Sequence, residues 1–336
     1  MNITQNASLK KFNTFGIDAK AKYFITAADS EEIIDAINFV SKKNIDLLPL
    51  GKGSNILFTK DFEGAVLHIL PNDITITEEN DSEVKIKVGA GVEWDDLVSF
   101  SVKRKFWGLE NLSFIPGTAG AAPVQNIGAY GAELKDTLVK VTGIDVSKRE
   151  VVSFTKEECE FGYRESIFKN KLKNKFIISE IEIKLSKKYS PNVNYRPLRK
   201  IFDGKENLEP AEIRTEIIRI RKEKLTDPNE IGNAGSFFTN PIVDASVLRR
   251  IRAKYPSIPF YNLPDGKFKI AAGWLIETAG LKGYREGNVG VSGRQALVIL
   301  NYGNASGKEV YEFSQKIKNL ILKKFNISLQ TEVNIL

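Results

Sequence analysis

Ile115-Pro116-Gly117-Thr118-Ala119-Gly120-Ala121-Ala122-Pro123-Val124-Gln125-Asn126-Ile127-Gly128-Ala129-Tyr130-Gly131 is the stretch on which the reading of this chain turns. Its 17 residues hold four glycines and four alanines, with Thr118, Gln125 and Asn126 the only polar side chains besides Tyr130. A surface loop is ordinarily more polar. Small residues in series let backbone run close to a flat or extended ligand, with amides supplying the hydrogen bonds. Tight strand-on-strand packing is the competing explanation.

Upstream, Gly51-Lys52-Gly53-Ser54-Asn55 follows a short apolar strand. The loop lacks the Gly-Lys-Ser/Thr ending of a Walker A motif, and no helix with a third glycine follows, so it is not a Rossmann fingerprint. Alone it reads as a tight turn. Paired with the 115–131 segment it points to a nucleotide-containing cofactor held between two domains.

Downstream, Phe161-Gly162-Tyr163-Arg164-Glu165-Ser166 sets an arginine between an aromatic residue and a carboxylate. Arginine keeps its charge, so it offers either a fixed cation with a forked donor set or half of a structural Arg–Glu pair. Gly232-Asn233-Ala234-Gly235-Ser236-Phe237-Phe238 places a serine on a glycine-rich bend that is not the Gly-x-Ser-x-Gly elbow. Glu332 stands in an otherwise apolar terminal run, where a solvent-facing edge is the plain reading.

Composition narrows the chemistry. One cysteine, Cys159, excludes an internal disulfide and a thiolate metal cluster, and one histidine, His68, excludes multi-histidine metal sites. No metal is expected. His68 alternates with apolar neighbours and reads as a hydrogen-bonded, half-buried side chain. With 42% hydrophobic and 27% charged residues the chain can fill a core. No apolar run reaches the ~18 residues of a membrane helix, and the start, MNITQNASLKKF, lacks the apolar centre of a secretory signal. Membrane insertion is not expected and a cytoplasmic location is. The net charge of +7 suits anionic ligands. No basic helix with interleaved aromatics accompanies it, and Leu248–Lys254 has the spacing of a solvated helix face, so nucleic acid is not an expected partner.

Element signals give an α+β order. Strands are predicted at 22–26, 46–50, 56–58, 83–88, 138–146 and 176–185. Helices are predicted after an Asp29/Glu32 capping box and at 93–103, 210–224, 245–254, 271–279 and 308–324. Residues 326–336 read as a final strand. The domains are drawn at 1–70, 71–224 and 225–325, with 326–336 packing near the first.

In order, Asn13-Thr14-Phe15-Gly16, Leu50–Asn55, Ile115-Pro116-Gly117, Gln125–Gly131, Gly162–Ser166, Gly232–Pro241 and Ala271–Ile276 resemble the UDP-N-acetylenolpyruvoylglucosamine reductase (MurB) family. The resemblance runs from about residue 10 to the terminus. It implies a three-domain flavoenzyme: a two-domain FAD-binding half (PCMH/VAO-like) and an α/β domain for a UDP-sugar. NADPH is the implied hydride donor, and the implied reaction reduces an enolpyruvyl ether to UDP-N-acetylmuramate for peptidoglycan. By the same resemblance Arg164 and Glu332 stabilise the enolate and Ser236 protonates the carbanion. Gly51, Gly53, Ser54, Asn55, Gly117, Ala121, Val124, Gln125, Gly128 and Tyr130 are the implied FAD contacts. Tyr195 matches a substrate-covering tyrosine of the longer subtype, and Lys224, Asn240, Tyr261, Lys282 and Gln295 match substrate-binding positions. Asn334 departs from the basic residue some members carry there. Two other readings stay open: another FAD-dependent oxidase of the same fold, and a non-catalytic nucleotide or nucleic-acid binding protein.

Overall fold

Asp29, in extended backbone, accepts a hydrogen bond from the Glu32 amide at 2.9 Å and starts α1 (Ser30–Lys43). The reciprocal half of the expected capping box shifts by one residue: the Glu32 carboxylate takes the Ala28 amide at 2.7 Å. Ile33, Ala36, Ile37 and Val40, spaced for one helix face, are buried together with Ile25 and Leu67. In this computed structural model, residues 1–71 and 73–336 are described.

By its contacts the chain forms two units. The larger comprises residues 1–7, 21–52 and 63–221, and the smaller comprises 8–20, 53–62 and 222–336. The stretches around Asn13 and Asn55 fold with the C-terminal third.

In the larger unit the strands Asn2–Ser8, Lys20–Ala27, Phe62–Ile69 and Leu47–Pro49 form one sheet in that order, the last two parallel. His68 behaves as expected: it is partly buried and its Nδ1 donates to the Leu50 carbonyl at 3.1 Å. A second, antiparallel sheet runs Glu150–Thr155, Leu138–Asp145, Phe176–Ser186, Glu83–Gly89, Ile74–Glu79. Val84, Ile86 and Val88 face Leu185, Ile183 and Ile181 across its centre, all buried. The same core takes Trp94, Leu97 and Val98 of α2 (Trp94–Lys103) and the Cys159 thiol, which burial pushes up to about 12. A third cluster joins α3 (Arg196–Ile201) to α4 (Pro210–Lys224) through Leu198, Ile213, Ile217 and Ile220, with Trp107 between them.

In the smaller unit, α5 (Ala245–Lys254) buries Leu248 and Ile251 and leaves Arg249, Arg250, Arg252 and Lys254 in solvent, as its spacing predicts. α6 (Ala272–Thr278) and α7 (Gly307–Phe325) follow; α7 opens with a complete Ser306/Glu309 capping box. Phe15, Phe237 and Phe238 are buried and meet ring edge to ring face. The final segment is a strand only at Asn334–Ile335, paired in parallel with Ile56–Leu57. No helix among the described residues is long and apolar enough to cross a membrane.

Candidate functional site

In the larger unit, Gly51 and Lys52 of the first glycine-rich loop lie against the 115–131 loop. A Cβ on Gly51 would stand 2.6 Å from Thr118 Oγ1, so only glycine admits the approach. Around Thr118 the backbone is stitched to the start of α2: Gly117 O accepts from the Trp94 amide at 3.1 Å, and the Ala119 amide donates to Val92 O at 2.8 Å. Lys52 and Glu93 pair beside this junction. The surface so made is floored by small residues, with Gly117, Val124, Gln125 and Gly128 partly exposed and Ala121 open to solvent. A surface of small, partly exposed residues leaves backbone amides open to approach, which fits a flat, nucleotide-bearing group such as FAD.

Three hydrogen bonds tie the second loop to the arginine motif. Asn126 Nδ2 donates to Gly162 O (3.1 Å), Arg164 Nη2 donates to Gly128 O (2.9 Å) and Ser166 Oγ donates to Val124 O (2.7 Å). Beside this arginine, Glu165 pairs with Lys169 at 3.2 Å. Tyr130, at φ +50°, packs edge-on against Tyr195 with ring centroids 5.8 Å apart, and its hydroxyl bonds Arg221. Asn111, 1% exposed, donates from Nδ2 to both Tyr130 O and Asn192 O at 2.8 Å, joining the flavin-loop candidate to the segment before Tyr195.

Arg221 and Asn111 were not picked out from sequence. Arg221 also donates to Phe114 O at 3.0 Å, and burial lowers its pKa against the opposing pull of Tyr130 and Asp95. On a helix its charge looks like surface until Tyr130 is seen beside it.

The smaller unit holds the other candidates. Asn233 folds an Asx turn, its Oδ1 accepting from the Gly235 amide at 3.0 Å, and Gly235 at φ +64° delivers Ser236 just before the buried phenylalanines. Ser236 bridges Val298, and the Glu332 amide donates to Phe237 O at 2.9 Å, so the serine and glutamate strands run side by side. Asn55 Nδ2 reaches Glu332 O at 3.3 Å, and Asn334 Nδ2 returns to Asn55 O at 3.1 Å. Gly53, at φ +61°, lies against the Phe12 carbonyl where a Cβ would come within 2.1 Å. Ser54 is partly buried in the same loop.

Asn240 Oδ1 accepts from the Ala272 amide at 2.9 Å and so tethers α6. Gln295 Oε1 sits 3.0 Å from where a Gly273 Cβ would be, which explains the small residues there. Tyr261 is 52% exposed, with the Lys269 ammonium 5.6 Å from its ring. Lys282 pairs with Glu277 at 2.8 Å, and Lys224 is exposed at the end of α4. Among the described residues no three His, Cys, Asp or Glu side chains group as metal ligands.

Residues 21–154 match the model of the FAD binding domain family, and residues 227–336 match that of the UDP-N-acetylenolpyruvoylglucosamine reductase C-terminal domain. These place the chain among FAD-binding oxidoreductases of α+β, PCMH/VAO-like fold. It is 44% identical to the UDP-N-acetylenolpyruvoylglucosamine reductase of Flavobacterium johnsoniae, covering 100% of both chains. It is 41% identical to the Pseudomonas putida protein of the same name, over 98% of each. The chain belongs to the UDP-N-acetylenolpyruvoylglucosamine reductase family. In fold it is similar to the crystal structure of that reductase from Thermus caldophilus (TM-score 0.69, 23% identity, 99% and 98% coverage). It is also similar to 6-hydroxy-D-nicotine oxidase of Arthrobacter nicotinovorans (TM-score 0.55, 10% identity, 99% and 88% coverage). Family membership displaces both alternative readings, the oxidase and the nucleic-acid binder.

Proposed function

We propose how this chain performs its family's reaction: FAD-dependent, NADPH-driven reduction of UDP-N-acetylglucosamine enolpyruvate to UDP-N-acetylmuramate, the work of a UDP-N-acetylmuramate dehydrogenase in peptidoglycan precursor synthesis. Residues 1–70 and 71–224 serve as the FAD-binding half, with 326–336 packing near the first of them, and 225–325 serve as the UDP-sugar domain. Gly51, Gly53, Ser54, Asn55, Gly117, Ala121, Val124, Gln125, Gly128 and Tyr130 would hold FAD, which when bound would supply the hydride that NADPH provides.

Reduction of the enolpyruvyl double bond leaves negative charge on the carbon beside the substrate carboxylate. Arg164, a permanent cation braced on the Gly128 carbonyl, stabilises that enolate. Glu332, when its carboxyl carries a proton, donates a hydrogen bond to the same oxygens. Ser236 then gives its proton to the carbanion; a weak acid suffices because the acceptor is strongly basic. Tyr195 covers the substrate, while Lys224, Asn240, Tyr261, Lys282 and Gln295 hold the nucleotide and diphosphate. The smaller unit carries the basic excess, twenty Lys and Arg against twelve Asp and Glu, which suits an anionic UDP-sugar. The enzyme works in the cytoplasm, without membrane insertion, on small-molecule partners.

The observation that carries the reading is the three-bond attachment of the Arg164 turn to the 124–128 loop: a fixed cation is held against the small-residue loop. The test is a visible spectrum under anaerobic conditions. A yellow protein should bleach with NADPH and recover with UDP-N-acetylglucosamine enolpyruvate. Ser236→Ala should keep the first step and slow the second by about 10²–10⁴-fold. Recovery at the wild-type rate in that variant would remove Ser236 as the acid.

A further inference from the structure

Arg164 occupies a backbone conformation that does not suit an arginine. The Gly162 and Glu165 backbones exchange hydrogen bonds of 3.0 and 3.3 Å, leaving Tyr163 and Arg164 as the central residues of a tight turn. Arg164 sits at φ +58°, in the left-handed region where glycine or asparagine is at home. A side chain launched from a strained position keeps its direction only if its surroundings hold the backbone there.

Lys169 does this. Its ammonium donates to the Arg164 carbonyl at 2.8 Å and to Glu165 Oε1 at 3.2 Å, while Asn170 Nδ2 takes Glu165 Oε2 at 2.6 Å. One cation thus grips the peptide leaving the left-handed residue and the carboxylate beside it. The Arg164 guanidinium is anchored separately, on Gly128 O. The two anchors act on opposite ends of the residue. Loss of the ammonium removes this grip on the left-handed backbone, and relaxation toward the right-handed region would swing the Arg164 Cα–Cβ bond away from Gly128.

We propose that Lys169 is the positioning residue for Arg164: it contacts no reacting group and acts by locking the left-handed turn that aims the guanidinium. The inference rests on the reading of Arg164 as the enolate-stabilising cation. It calls for a comparison that separates the two, made on the holoenzyme in an anaerobic stopped-flow instrument. In Lys169→Met, reduction of FAD by NADPH should keep its wild-type rate, while reoxidation by UDP-N-acetylglucosamine enolpyruvate should fall about 10- to 100-fold, as expected when a reacting geometry shifts by an ångström. Lys169→Arg should restore most of the rate. In an Arg164→Ala background, adding Lys169→Met should cause no further loss, because the lysine has nothing left to aim. Wild-type reoxidation in Lys169→Met, or a full additional loss in the Arg164→Ala background, would overturn the proposal. Wild-type reoxidation in Arg164→Ala alone would instead overturn the role given to Arg164.

Discussion

Glu110 shows what a single buried carboxyl does to this molecule. It is 1% exposed, and burial raises its pKa although the Gly108, Glu110 and Leu109 amides pull the other way. A group whose folded pKa lies above its unfolded value contributes its full stability below the unfolded value and loses it as pH rises through the folded one. Stability should therefore drain away as pH climbs above the ordinary 4.5 of a glutamate. Glu110→Gln keeps an oxygen for the Gly108 amide, 2.7 Å away, and removes the charge. Its melting temperature should match wild type near pH 4 and exceed it increasingly toward pH 7. Parallel melting curves across that range would contradict the assignment.

At the scale of elements, α2 and α4 are joined by a two-pronged pair. Arg214 Nη1 and Nη2 each donate to an Asp95 oxygen at 2.7 Å, and Asp95 Oδ1 also accepts the Phe114 amide at the entry to the 115–131 loop. Burial raises the Asp95 pKa, but Arg214 and the Phe114 amide outweigh it and the net shift is downward. Its stabilisation is therefore present above the ordinary carboxylate range and is lost as pH falls through the lowered value. Asp95→Asn should cost about 1–3 kcal/mol at neutral pH, measured by denaturant unfolding, with the penalty shrinking below pH 4.

Helices such as α2, α5 and α7 were legible because a 3.6-residue apolar period runs through the ten or more residues of each. Asn2–Ser8, Ile74–Glu79 and Glu150–Thr155 were not. They are largely solvent-facing edge strands, and the alternations Ile74/Ile76 and Val152/Phe154 are too short and too exposed to stand out. The terminal strand was over-read for the converse reason: its apolar residues are buried, but its parallel partner is only Ile56–Leu57. The same contrast governs the site. Glycine loops declare themselves because close backbone approach excludes every other residue. Lys169, Arg221 and Asn111 work through carbonyls and a phenol, and no spacing rule marks a cation or an amide that serves distant backbone.

For the whole molecule the informative feature is the way the smaller unit is assembled from three separated stretches. Ile56–Leu57 pairs with Asn334–Ile335, and Thr59 binds the Leu336 carbonyl through its amide at 2.7 Å. Removing residues 334–336 should leave flavin binding and reduction by NADPH near wild type. Reoxidation by the UDP-sugar should fall by about two orders of magnitude, because the strand carrying Glu332 loses its anchor. A truncated protein with wild-type turnover would separate Glu332 from the reaction.

The pairing also has a consequence in time. Asn55 and Asn334 lie 279 residues apart, and at the usual pace of a ribosome the second emerges on the order of tens of seconds after the first. During that interval the nascent chain can complete the sheets of the larger unit, but the strand that bears Glu332 has not yet been made. A message broken before the codon for Glu332 thus yields a polypeptide that can form those sheets yet lacks the carboxylate proposed to steady the enolate.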